Sequence, residues 1–310
     1  KIETDWRRPA PRYRFLPMDG AIVVDKPAGW TSHDVVAKVR RLARTKRVGH
    51  LGTLDPMATG VLPLVVGRAT RLAQFFNRDR KVYEGVIRFG NSTDTYDREG
   101  KPTSDPVRPE FDNAALEQAL QAFRGTFHQT PPPVSAKKIG GVPAYKLARR
   151  NQPVNLEPVE VTVFALNVLS FDGDSAAVRV ECSTGTYLRA IAHDLGRALG
   201  CGAFLESLRR MASGEFRIES AHPMERLERF AAEDQFIQAV VPCNELLPGF
   251  PNEMVDPVTV GQIRQGRDFR VSPFRTRTGI RYVKAVTSDG ELVAIGEATL
   301  PNVYHPILVF

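Results

Sequence analysis

Apolar residues along the chain follow two rhythms, one of period two and one near 3.6, and the changes between them mark its elements. A short apolar run, Ala21 to Val24, has strand character, and a Lys26-Pro27 turn completed by Gly29 follows it. Thr31 stands three residues before Asp34, a capping-box spacing that predicts a helix burying Val35, Val39 and Leu42. "GVLPLVV" and "KVYEGVIRFG" read as strands, and the second leads into a polar loop, "NSTDTYDREGKP". "DNAALEQALQAFRG" is an amphipathic helix, capped by Asp112, stopped at Gly125 and turning Leu116, Leu120 and Phe123 inward. "VEVTVFALNVLSF" and "SAAVRVEC" alternate as strands do, whereas "AIAHDLGRALG" and "AFLESLRRMA" have helical spacing. "PGFPNEMVDP" has linker composition, and beyond it "RYVKAVTSDGELVAIGEATL" predicts a hairpin turning at Asp289-Gly290.

Strands and helices mix without a regular βαβ rhythm, so the expected class is α+β. The segments group into a basic, proline-bearing arm over 1–19, a main domain over 20–247 and a small, mostly β domain over 250–310. Within the main domain, residues 129–152 are rich in proline, glycine and cations and read as an excursion from the fold.

Composition narrows the picture. With 310 residues, 42% of them hydrophobic and 25% charged, the chain has material for a substantial core. The net charge of +7 tilts the expected partner toward a polyanion. Three scattered cysteines, Cys182, Cys201 and Cys243, make neither a disulfide framework nor a zinc knuckle, and the six histidines show no metal-ligand spacing. The reading is therefore no metal, buried free thiols and a cytoplasmic address. No window reaches the ~20 apolar residues of a membrane span, and the arm lacks the apolar stretch of a secretory signal.

The chemistry-bearing stretch is "RVGHLGTLDPMATGVLPLVVGRATRL", Arg47 to Leu72. Asp55, between Gly52 and Pro56, is a carboxylate at neutral pH that such a loop can aim into a cleft. Taken alone it reads first as a helix cap or turn residue. Its surroundings change that reading. Arg40, Arg41, Arg44, Lys46 and Arg47 concentrate positive charge just before His50, which suits a phosphate backbone as well as a solvated helix face. "STGTYLRAIAHDLG" sets Tyr187 and Arg189 at a strand-to-helix junction, where the arginine lacks an acidic neighbour and is suited to pair with a distant carboxylate. Tyr83, on its strand, serves either as core packing or as a ring facing the same cleft.

These motifs, together with "VVDKPAGWTSHDVV", "PPPVSAKKIGGVPAYKLARR" and "GRALGCGAFLESLRR", resemble those of the TruB family of bacterial tRNA pseudouridine synthases from about Gly20 to Arg210. The ending "YHPILVF" is similar to that family's small RNA-binding domain of PUA type. The resemblance implies a mixed, largely antiparallel central sheet flanked by helices and loops. It also implies an enzyme that isomerises a uridine in the T-loop of tRNA without a cofactor, by flipping the base out. Asp55 falls at the family's catalytic aspartate, which either attacks the sugar at C1′ or removes a ribose proton. Tyr83 falls at the tyrosine that stacks on the flipped base, and Arg189 at the arginine paired with the aspartate. His50 falls at the histidine that enters the T-loop and helps hold the target nucleotide out. Tyr187 lies beside the pocket, Leu208 falls at an apolar residue packing near the base, and Lys26-Pro27 falls at a supporting motif. Arg71, Lys137, Lys138, Lys146, Arg149 and Arg150 are the candidate phosphate contacts, the last five on a thumb-like loop. Leu51 and Met57 depart from the residues more usual at their positions without removing a reactive group. The implied partner is the T-arm stem-loop of tRNA, met by a monomer that needs no guide RNA, protein partner or membrane. The rival readings are a guide-RNA-dependent catalytic subunit, a pure RNA-binding or folding factor and a nucleoside hydrolase, although a tRNA binding and folding activity is also expected beside the isomerisation.

Overall fold

The computed structural model describes residues 18–76, 80–135, 137–139, 141–144, 156–272 and 279–310. Residues 1–17 of the expected arm lie outside these, as do Lys146, Arg149 and Arg150. The strands in chain order are β1 (Gly20–Lys26), β2 (Val48–His50), β3 (Thr59–Val66), β4 (Lys81–Phe89) and β5 (Gly125–Gln129). A two-stranded ladder of β6 (Lys138–Ile139) and β7 (Val142–Pro143) follows. Next come β8 (Val159–Phe171), β9 (Ser175–Cys182), β10 (Ala203–Ser213), β11 (Phe216–Arg217) and β12 (Val241–Pro242). The large sheet runs β12-β1-β3-β10-β4-β9-β8-β5, with β2 on β3 and β11 on β10. Its pairs are antiparallel except β10 with β3, so the expected mixed, largely antiparallel sheet is found.

Helices α1 (Ser32–Leu42), α2 (Asn113–Leu120), α3 (Leu188–Ala198) and α4 (Met224–Ala232) cover one face. The sequence signals explain their starts. Thr31 and Asp34 form the expected capping box, and Asp112 accepts from the Ala115 N–H at 2.8 Å. The core beneath them joins Ile22, Val24, Leu62 and Leu64 of β1 and β3 to Val35, Val39, Leu116, Ile191 and Leu195.

The intervening residues of the same strands, Ala21, Val23, Val61 and Val65, face the other way into a second core. That core is completed by Leu292, Ile295 and Leu308 of a five-stranded sheet and by Leu72 and Phe76 of a 3-10 segment, Gly67–Phe76. Burial on both faces is why β1 and β3 read as unbroken apolar runs, whereas β9, open on one face, alternates. The second sheet comprises β13 (Asn252–Met254), β14 (Phe269–Arg270), β15 (Tyr282–Val286), β16 (Leu292–Leu300) and β17 (Val303–Val309), beside helix α5 (Pro257–Arg264). Its order is β13-β15-β16-β17-β14, and Gly290 takes a φ of 83° in the expected β15–β16 turn.

Two expectations are corrected. "AFLESLRRMA" is not a helix but most of β10. The ladder of β10 with β4 slips between Leu205 and Ser207 and again between Arg210 and Ala212. Each bulge adds a residue and reverses the parity of the strand, so its inward positions acquire a spacing of three and imitate a helix. The expected linker also contains structure: β13 pairs in parallel with β15.

Candidate active site

The loop between β2 and β3 is held at nearly every residue. Gly52 takes a φ of 108°, which a side-chain-bearing residue adopts only with strain. Its carbonyl accepts from Arg210 Nη2 at 3.1 Å, while Arg210 Nε donates to Val61 O at 2.6 Å. The Ser32 hydroxyl accepts from the Leu54 N–H at 2.8 Å and reaches Leu54 O at 3.1 Å. Pro56 O accepts from Lys26 Nζ at 3.1 Å and from the Gly29 N–H at 2.8 Å. Lys26 Nζ also donates to Trp30 O at 2.5 Å and Pro27 O at 2.9 Å, so the buried ammonium ties the β1–α1 turn to this loop. Burial, first of all, lowers the Lys26 pKa to about 8, against the pull of nearby Asp55. Gly60 allows the close approach that brings Arg210 here, since a Cβ on it would lie 2.3 Å from Arg210 O.

In this frame Asp55 meets Arg189 from the first turn of α3. Arg189 Nη2 donates to Asp55 Oδ1 at 3.2 Å, and Nε lies 2.9 Å from Oδ2, off the line of its own N–H. The guanidinium continues to Asp97 Oδ2 at 3.2 Å, Thr95 O at 3.0 Å and Val134 O at 3.0 Å. The Arg189 and Asp97 side chains are each 5% exposed, whereas that of Asp55 is 35% exposed. One cation is therefore enclosed between two carboxylates, and only the outer one opens to the cleft. Removal from bulk water raises the Asp55 pKa above the ordinary range, Asp97 adds to the rise, and Arg189 opposes it.

The cleft encloses about 230 Å³ and is lined by Gly52–Asp55, Lys81, Tyr83, Thr184–Arg189 and Leu208. Asp55 is the sole carboxylate among the described residues lining it. Tyr83 comes from β4 and Leu208 from the facing stretch of β10. Burial raises the Tyr83 pKa, so its hydroxyl is protonated at neutral pH. Tyr187 precedes α3, where the buried Gln129 side chain accepts from its N–H at 2.8 Å and donates to its carbonyl at 3.1 Å. Lys81 Nζ donates to Thr184 Oγ1 at 2.5 Å across the cleft mouth.

Of the residues expected in the site, Asp55, Tyr83, Tyr187, Arg189 and Leu208 come together here. His50 ends β2 outside the lining, half-buried, with its pKa lowered chiefly by burial. Arg71 lies elsewhere. Its Nη1 donates to Val309 O at 2.5 Å, and its guanidinium lies 5.9 Å from the Phe310 ring centre. Lys137 precedes the β6–β7 ladder, and the Lys138 side chain falls outside what is described. The sequence reading did not single out Asp97, Arg210 or Gln129. Asp97 had a weak signal, since a run as rich in Asp and Thr as "STDTYD" makes side-chain-to-backbone bonds of the kind Asp97 forms with the Glu99 N–H at 3.0 Å.

Residues 40–188 match the N-terminal domain of TruB family pseudouridylate synthases, and residues 189–248 match a C-terminal domain described for tRNA pseudouridylate synthase B. The chain is 61% identical over 292 residues to a tRNA pseudouridine synthase B of Solibacter usitatus, covering 94% of this chain and 100% of that one. A namesake from Aquifex aeolicus is 37% identical over 282 residues, 90% of this chain and 96% of the other. Among solved structures, it is similar to a chain of an H/ACA RNP bound to a substrate RNA containing 2′-deoxyuridine. There the TM-score is 0.70 at 25% identity, over 94% of this chain and 85% of that one. A chain of a Cbf5-Nop10-Gar1 complex gives a TM-score of 0.68 at 26% identity, over 94% and 84%.

Proposed function

The chain belongs to the TruB family of pseudouridylate synthases, and on that premise we propose how its cleft converts a uridine in the T-loop of tRNA to pseudouridine. The reaction is an isomerisation. The N1–C1′ bond breaks, the uracil turns, and a C5–C1′ bond forms; the C5 hydrogen leaves as a proton and N1 gains one. In this reading the reacting group of the protein is the Asp55 carboxylate, which meets the sugar at C1′ or takes its C2′ proton. Both routes require it ionised, and Arg189 favours that form. The Tyr83 ring and Leu208 flank the extruded uracil. Flipping the base costs a few kcal/mol, which contacts with the opened loop offset; His50, Lys137 and Lys138 are the residues assigned to them. The observation that carries the reading is a cleft carboxylate, the sole one among the described lining residues, held by two guanidinium nitrogens.

The chain acts alone on the T-arm, as a monomer in the cytoplasm, in this proposal. What favours independence from a guide RNA is the 61% identity to a tRNA enzyme matched over its full length, against 25% to a chain of an H/ACA RNP. The test incubates the purified chain, with no other component, with an unmodified tRNA transcript. Pseudouridine at the T-loop position is expected, with none formed by Asp55→Asn, while binding of the transcript is retained. Equal yields from Asp55→Asn and the parent would refute the assignment, and release of free uracil would favour a hydrolase.

A further inference from the structure

We propose that Tyr96, stacked on His193, is a positioning residue that sets how Arg189 presents itself to Asp55. This rests on the reading of Asp55 as the reacting group. The two acceptors that receive Arg189 Nη1, Thr95 O and Asp97 Oδ2, lie on either side of Tyr96 in the chain. Their convergence on one nitrogen coincides with a φ of 65° at Tyr96, the left-handed region that a bulky residue enters only when its surroundings hold it there.

Three contacts hold it, the first local, from the Tyr96 N–H to Thr93 O at 3.3 Å. The Leu205 N–H donates to Tyr96 O at 3.0 Å, fixing the backbone to the start of β10. The Tyr96 ring lies on the His193 ring with centres 3.8 Å apart and planes 11° from parallel. His193 stands four residues after Arg189 on α3, so the two side chains leave the same helix face one turn apart. One residue grips the acceptors flanking Tyr96, and the other grips Tyr96 itself. The loop is clamped to the helix at two points, and neither member of the second clamp lines the cleft.

Asp97 is also held locally, its Oδ1 accepting from Thr95 Oγ1 at 2.6 Å and from the Glu99 N–H at 3.0 Å. What the ring adds is the lateral support that aligns Thr95 O and Asp97 Oδ2 on Nη1, and losing it loosens that alignment. Arg189 then tilts, and Asp55 loses part of the interaction that favours its charged form. The groups acting on Asp55 are Arg189, Asp97 and Lys26, and those acting on the stacked pair are Asp194 and Arg197.

The experiment measures single-turnover release of tritium from a transcript carrying C5-tritiated uridine, across a pH series, together with transcript binding. Tyr96→Ala is expected to slow the reaction by about 10- to 100-fold, the scale of a misplacement of up to about 1 Å among reacting groups. Binding should stay unchanged, and the acid limb of the rate profile should move to higher pH. Tyr96→Phe keeps the stack and should restore the parental rate and limb. Tyr96→Gly accepts the backbone angle but lacks the ring, and should remain slow. His193→Ala should reproduce the limb shift, and the double alanine variant should be no slower than the slower single one. A parental rate and acid limb in His193→Ala, or recovery in Tyr96→Gly, would overturn the proposal, and His193→Ala serves even where Tyr96→Ala does not fold. Asp55→Asn run alongside separates the two claims: its activity would sink the underlying reading, whereas its inactivity beside parental His193→Ala would sink the positioning role alone.

Discussion

On β4, Tyr83 faces the cleft, while the next residue, Glu84, pairs across the opposite face with Arg179 of β9 at 2.7 Å. On β10, Arg210 is enclosed, whereas its neighbour Arg209 reaches Asp25 at 2.7 Å beside solvent. The outer face continues in this manner, with Arg80 on Glu181 and Arg88 on Glu206. Cations thus occur on both faces, but they have different partners. Outside, they meet carboxylates of other strands. Inside, Lys26 and Arg210 meet main-chain carbonyls of the Asp55 loop and of the segments flanking it, groups that cannot move without the backbone moving. A surface ion pair is screened and flexible, whereas a buried cation wrapped in carbonyls fixes loop shape because each broken bond strands a desolvated dipole.

Three experiments test this contrast. Arg210→Met leaves Gly52 O, Thr53 O and Val61 O without their donor. It should lower stability by on the order of 3 kcal/mol or more in urea titrations, with pseudouridine formation falling further than transcript binding. Lys26→Met should cost about 1–3 kcal/mol at neutral pH, and it carries a pH signature. Because the folded-state pKa of Lys26 is lowered to about 8 from 10.5, the unfolded chain binds more protons between those values. The parent therefore gains stability from this residue as pH rises through that window, and Lys26→Met should lack the gain in melts at matched pH. The smallest effect belongs to the outer face. A double-mutant cycle on Arg179 and Glu84 should give about 0.2–1 kcal/mol, and added salt should diminish it. An outer pair that matched Arg210 in worth would break the contrast.

The legible parts of the chain were those whose physics is local. The capping box at Thr31, the cap at Asp112 and the β15–β16 turn each depend on neighbouring residues, and all three form. Asp55 and Arg189 were readable as chemistry because a carboxylate set in a glycine-bearing loop and an unpartnered arginine are unusual nearby in sequence. Asp97 was not, since Asp94, Glu99 and Asp105 are acidic neighbours of the same type, and only the tertiary fold selects which one Arg189 meets. Arg71 shows the converse: a lone arginine does not announce whether its acceptor is a phosphate or the carbonyl of Val309. The strand β10 failed to announce itself because its two bulges erase the period on which such a reading depends.

The doubly covered strands have a further consequence. β1 and β3, which frame the loop carrying Asp55, bury Ala21, Val23, Val61 and Val65 against Leu292, Ile295 and Leu308. Lys284 reinforces the seam, its ammonium donating to Asn244 O and Leu246 O at 2.7 Å each. The terminal sheet is consequently no detachable accessory. Cutting it away would strip the backing from the very strands that frame the Asp55 loop and leave a greasy scar, so that trimming the far sheet and loosening the cleft would be a single event.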